Sequence, residues 1–303
     1  MNTHRRRTLA RMLSRLDRLG PAEPLPNIED GLPIGSAYRI GITGPLGAGK
    51  SSLINQLIME YRQRGFSVGV IAVDPTSPFT GGAVLGDRVR MVDLVLDDDV
   101  FIRSLATRGV SGGLSVEAVD AADLLDIFGF DRVIIETVGV GQTEVDVMEA
   151  CDAVLVVLEP SSGDGIQAIK AGLTEIADLF VVNKMDMPGA DMFIVDLQHA
   201  IEIRHTGRQP DVLATMARDG KGVSDVCQWL EDSWQREGHS NGLMERRTKQ
   251  RSERIRRVAE DAVIKKIWKN ISAEEVHRSA EEGLPVREAA RRIVERFLDN
   301  HLQ

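Results

Sequence analysis

Eight consecutive residues, Gly44-Pro45-Leu46-Gly47-Ala48-Gly49-Lys50-Ser51, match the pattern G-x-x-x-x-G-K-[ST]. Glycines in this spacing let the backbone curl so that its N–H groups point inward at phosphate oxygens, and a helix starting near Lys50 adds its positive end. Lys50 is then placed to reach the β- and γ-phosphates and the Ser51 hydroxyl to ligate Mg²⁺, with Ser52 next in the same helical turn. A divalent ion that bridges phosphates takes few protein oxygens, so carboxylates at the carboxyl ends of neighbouring strands are the expected helpers. Asp74 closes VIAVD, Glu136 closes IIE, and Asp87 lies in LGDRVRM between them. Taken singly, a loop Asp such as Asp87 is more often a turn or cap residue.

A second block, Asn183-Lys184-Met185-Asp186, ends the apolar run LFVV. An Asp carboxylate accepts from both N1–H and the exocyclic amine of guanine, whereas adenine has an unprotonated N1 and would leave the charge unpaired. N-K-x-D therefore points to GTP and GDP as ligands, with Asn183 and Lys184 bracing the loops around the base. Thr215-Met216-Ala217, after the last apolar run, is a weaker candidate for a backbone contact to the guanine carbonyl.

These residues need a scaffold that brings distant segments to one edge. Short β-branched runs at Tyr38 to Ile42, Val68 to Val73, Val100 to Ile102, Val133 to Ile135, Val154 to Leu158, Phe180 to Val182 and Val212 to Ala214 alternate with amphipathic stretches. Runs this apolar fit strands buried on both faces, and the alternation predicts a doubly wound α/β domain with a mostly parallel sheet. Before it, Leu9, Met12, Leu13, Leu16 and Leu19 form a helical stripe, followed by a linker rich in Pro and Gly. After it, Ile255 to Ile267 and Val286 to Leu298 trace two more stripes with Gly283 and Pro285 between them, predicting a helical hairpin. The expected organisation is an amphipathic helix and linker over 1–36, the sheet domain over 37–236, and a C-terminal helical extension over 237–303 that serves as a dimerisation arm.

Thirty-seven Lys and Arg against forty-six Asp and Glu give a net charge of -9, the wrong sign for a protein living on nucleic acid or an anionic membrane. The longest apolar run is too short to span a bilayer. Cys151 and Cys227 make no CxxC and the histidines show no metal-ligand spacing, which suits a reducing cytoplasm and argues against structural zinc. The opening MNTHRRRTLARMLSRLDRLG is Arg-rich and nearly free of acid, so it reads either as a docked arm or as a mitochondrial targeting segment.

The motifs together resemble the MeaB/ArgK-type P-loop GTPases, the G-protein chaperones of adenosylcobalamin-dependent acyl-CoA mutases such as methylmalonyl-CoA mutase. The resemblance runs through GITGPLGAGKSSLI, VIAVDPTSPFTGGAVLGDRVRM, RSLATRGVSGGLS, IIETVGVGQTEVD, EPSSGDGIQAIKAG and VVNKMD in order. It implies the SIMIBI-like variant of the P-loop GTPase architecture. The E-x-x-G of Glu136 to Gly139 separates the chain from Ras-like GTPases, which have D-x-x-G there. Carried over, the resemblance implies Ser51, Asp74, Asp87 and Glu136 around Mg²⁺, and Lys50 and Glu136 as catalytic residues. It also implies switches over Thr76 to Arg90, Val138 to Asp146 and Glu159 to Lys170. In the last of these, Asp164, Gln167 and Lys170 would relay nucleotide state to the mutase.

Hydrolysis of the γ-phosphate needs an in-line water and charge neutralisation. No Gln follows Gly139 directly, and Gln142 comes three positions later, so slow turnover that a partner accelerates is expected. Arg88, Arg90 and Arg108 are candidate gating residues, each otherwise an ordinary surface charge. The implied activity is a GTPase that gates adenosylcobalamin delivery to a mutase partner and protects that mutase. The cobalamin is reached only through the partner, and a homodimer is the expected assembly. The competing readings are a P-loop small-molecule kinase, a nickel-insertion-type GTPase, which would carry a His-rich tract or a Cys and His cluster, and an interaction scaffold.

Overall fold

The computed structural model describes residues 3–16, 23, 36–75, 96–107, 113–137, 150–160, 173–204, 209–238 and 241–301. Seven strands form one sheet: β1 (Tyr38–Thr43), β2 (Val68–Pro75), β3 (Val100–Thr107), β4 (Arg132–Thr137), β5 (Ala153–Leu158), β6 (Leu179–Val182) and β7 (Asp211–Ala214). Their order is β3-β2-β4-β1-β5-β6-β7, and every pairing is parallel. The helices are α1 (Thr3–Leu16), α2 (Lys50–Gln63), α3 (Gly113–Ile127), the single turn α4 (Leu173–Ile176), α5 (Ala190–Arg204), α6 (Val223–Gly238), α7 (Asn241–Asn270), α8 (Ala273–Glu281) and α9 (Val286–His301).

All seven predicted runs are strands. The central ones, β1, β4, β5 and β6, are buried at every residue, as continuous β-branched runs covered on both faces require. The edge strands differ. β7 is half exposed, so the expectation of burial on both faces fails there. β3 continues five residues past Ile102, through a mixed RSLAT whose single neighbour, β2, leaves its other side less covered. On one face α2 buries Leu53, Ile54, Leu57, Ile58 and Tyr61 with Val223, Val226, Cys227 and Leu230 of α6. The other cover includes α5, whose Leu197 and Ile201 meet β5 and β6.

α1 buries Leu9, Met12, Leu13 and Leu16, the predicted stripe, and packs against α3. Leu19 lies outside the described residues. Arg5 and Arg6 stack over Phe128 and Phe101, and Arg6 donates to the Asp97 carbonyl at 3.0 Å.

The amino ends of the strands are tied by charge. The Arg39 guanidinium pairs with Asp123 at 2.7 Å and Asp126 at 3.0 Å. Asp152, just before β5, accepts from the Arg39 N–H at 2.8 Å and from the Arg247 guanidinium of α7. Arg132, the first residue of β4, holds Glu231 of α6 through two bonds of 3.0 and 2.6 Å, with its guanidinium 3.9 Å from the centre of the Phe66 ring.

The chain divides into two compact units, the first running to Arg251 and the second holding the chain from Ser252 onward. The second unit is not a simple hairpin: α8 stands between the two predicted stripes. Ser272 caps it, its hydroxyl accepting from the Glu275 N–H at 3.1 Å. Several stripe residues are exposed, among them Ile255, Val263, Val286 and Val294.

Candidate functional site

The sheet order puts β1 at the middle, between β4 and β5, so the loop after β1 opens at the carboxyl edge with strand ends on both sides. Gly44 and Gly49 both have positive φ, 139° and 92°. A Cβ on Gly44 would stand 2.1 Å from the Val157 carbonyl oxygen, and one on Gly49 would stand 2.2 Å from the Asn183 side-chain nitrogen. Each must be glycine for space as well as for conformation. Gly49 caps α2, whose first residue is Lys50. Lys50 is buried, and its ammonium donates to the Gly44 and Pro45 carbonyls at 2.8 and 2.9 Å, which keeps it folded over the loop. Leu46, by contrast, is exposed.

Ser51 donates its hydroxyl proton to Glu136 Oε1 at 2.9 Å. Glu136 is buried near the end of β4, opposite Ile42 of β1. Beside it, the Thr137 hydroxyl donates to that of Thr43 at 3.0 Å, below the phosphate loop. Asp74 lies on β2 two residues beyond Ala72, which is the register partner of Glu136, so the two acids stand at the same edge. A hydroxyl and a carboxylate are hard oxygen donors, and the Ser51–Glu136 pair is of the chemistry that suits Mg²⁺.

Asn183 is the joint of the site. It is buried, and its amide nitrogen donates to the Ala48 carbonyl of the phosphate loop at 2.9 Å. Its amide oxygen accepts from the Thr215 hydroxyl at 3.1 Å and from the Ala217 N–H at 2.9 Å. One side chain thus ties three loops, leaving strands β1, β6 and β7, and uses both ends of its amide. Lys184 follows in a left-handed conformation, φ 62°, the single non-glycine case among the described residues. That conformation costs a lysine about 1–2 kcal/mol. It is held by Met187 N–H to the Lys184 carbonyl at 2.9 Å, Met185 N–H to the Thr215 carbonyl at 3.2 Å, and an ion pair between the Lys184 ammonium and Glu159. Asp186 stands exposed in the same loop. Met216 bridges to Lys221, which closes the loop after β7.

The structure therefore brings together Gly44 to Ser52, Glu136, Asn183 to Asp186 and Thr215 to Ala217, with Asp74 placed by its strand. Asp87, Arg88, Arg90, Arg108, Gly139, Gln142, Asp164, Gln167 and Lys170 lie outside the described residues. Sequence reasoning did not foresee the Glu159–Lys184 pair. The signal was available: β5 and β6 are neighbours, and each is followed at once by a polar residue, Glu159 or Asn183.

A family model described as methylmalonyl-CoA mutase-associated GTPase MeaB matches residues 30–272. The chain belongs to the MeaB family. A protein of Pyrococcus abyssi whose name assigns it provisionally to the GTPases is 45% identical over 88% of this chain and 80% of its own length. GTPase ArgK of Escherichia coli is 35% identical over 80% of this chain and 76% of its own. The mitochondrial methylmalonic aciduria type A homolog of Caenorhabditis elegans is 40% identical over 70% of this chain and 55% of its own. Among solved structures, one described as a LAO/AO transport system kinase matches with a TM-score of 0.67 and 27% identity, covering 97% of this chain and 98% of that one. Membership of the MeaB family makes this a P-loop GTPase fold. No helix among the described residues is long and apolar enough to cross a membrane.

Proposed function

We propose that this MeaB-family protein binds and hydrolyses GTP, and that the nucleotide cycle gates adenosylcobalamin delivery to, and protection of, an acyl-CoA mutase. The observation that carries the nucleotide reading is Asn183, whose amide joins the phosphate loop to the two loops where a guanine base would be read. An Asp at position 186 then selects guanine by accepting two N–H groups. The mutase reading rests on the family.

In this reading the phosphate-loop N–H groups and the Lys50 ammonium bind the β- and γ-phosphates, and Lys50 exchanges its two carbonyl contacts for phosphate oxygens. Ser51, Glu136, Asp74 and Asp87 would hold Mg²⁺, which when bound neutralises charge developing on the phosphates. Turnover is slow alone and rises when the mutase completes the site. The exposed apolar residues of α7 and α9 support a homodimer through the second unit. Burial of the Leu9, Met12, Leu13 and Leu16 stripe supports the docked-arm reading of the amino terminus.

Calorimetry with GTP and ATP tests the nucleotide reading: GTP is expected to bind about ten-thousandfold more tightly, the discrimination typical of a site built around paired hydrogen bonds. Equal uptake of ATP would favour the kinase reading. Transfer of adenosylcobalamin to an acyl-CoA mutase, followed by its absorbance with GTP or GDP present, tests the chaperone role, and indifference to the nucleotide would refute it.

A further inference from the structure

Glu159 is the first residue beyond β5, and the parallel register of β5 and β6 sets Leu158 beside Val182. Glu159 and Asn183 therefore leave the sheet side by side. The Glu159 carboxylate pairs with the Lys184 ammonium through Oε2. Its other oxygen, Oε1, lies 3.8 Å from the place a Cβ on Gly47 would occupy, so the same carboxylate faces the phosphate loop. The side chains are 12% exposed for Glu159 and 38% for Lys184, a position between surface and interior where charge is only partly screened. A carboxylate held there opposes an anionic ligand unless its charge is cancelled.

We propose that Glu159 is a positioning residue of the nucleotide site that acts through Lys184. The carboxylate holds the long lysine stem and its left-handed backbone in one arrangement, and the ammonium cancels the carboxylate's charge beside the phosphate loop. The inference deepens the guanine-nucleotide reading and rests on it. Its signature is asymmetry: loss of the ammonium exposes a negative charge to the phosphates, whereas loss of both charges does not.

The test is a double-mutant cycle of the full chain with E159Q, K184M and E159Q/K184M, titrated with fluorescent GDP. Melting curves of the nucleotide-free proteins check that each variant folds. E159Q is expected to weaken binding about threefold and K184M about thirtyfold, while the double variant recovers to within about tenfold of the parent, the scale set by breaking against removing a partly buried pair. The K184M defect shrinks at 1 M NaCl, where the screening length is about 3 Å, a response that misfolding would not give. A double variant that shows the product of the two single losses overturns the proposal, as does E159Q binding as tightly as the parent. If the parent chain binds no GDP, the guanine reading falls and takes this one with it; an additive cycle with a tightly binding parent refutes the positioning role alone.

Discussion

Gly49 and Gly65 provide a matched pair in which the site's geometry can be weighed against backbone conformation alone. Their φ angles are 92° and 86°. Nothing lies within 4 Å of a Cβ built on Gly65, whereas one on Gly49 meets the Asn183 amide nitrogen at 2.2 Å. Alanine at either position carries the strain of a left-handed residue, about 1–2 kcal/mol. At Gly49 the Asn183 amide must also swing away, releasing its bonds to Ala48, Thr215 and Ala217. At about 1 kcal/mol for each buried hydrogen bond, that adds about 3 kcal/mol. G65A should therefore lower stability by about 1–2 kcal/mol and leave nucleotide affinity unchanged. G49A should lower stability by about 4–5 kcal/mol and weaken GDP by up to about a hundredfold, since about 1.4 kcal/mol is a factor of ten. Urea unfolding reads the first quantity and fluorescence titration the second. If G49A matches G65A in both, Asn183 is not the joint between the loops.

Two further predictions concern the opposite end of the sheet. R132M leaves the buried Glu231 carboxylate without its guanidinium and should cost about 3–5 kcal/mol in urea unfolding; R132M/E231L should recover most of that, with GDP affinity unchanged in both. The Arg62 guanidinium holds the Asp97 carboxyl below its usual range, chiefly by hydrogen bonding. A folded value below the unfolded one, about 3.9, stabilises the protein above about pH 4 and is lost as pH falls through the folded value. The stability gap between the parent and R62Q should thus narrow in acid; a gap that widens below about pH 4 would refute the assignment.

Much of this was legible in the sequence, for identifiable reasons. The buried strands announced themselves because a parallel strand covered on both faces has no solvent side to interrupt its apolar run, as in AVLVVL of β5. The end of β3 was not legible, because an edge strand carries residues such as Arg103 and Ser104. Helix α8 escaped because it is short and only Ala273, Val276 and Ala280 in it are apolar, although Ser272-Ala273-Glu274-Glu275 is a capping signature that the structure uses. The phosphate loop and N-K-x-D were legible from spacing. That Asn183 would meet Gly49, and Glu159 would meet Lys184, followed only from strand order, which no local pattern encodes.

The sheet keeps the ionic anchors of Arg39, Arg132 and Asp152 at one end, and its reactive loops at the other. Mechanical robustness and chemical adaptability are thereby assigned to separate ends of the same strands. Outside Gly44, Gly49 and Asn183, which hold the loops to one another, residues at the reactive end can drift, or be engineered toward another ligand or client, while the ionic foundation stays untouched.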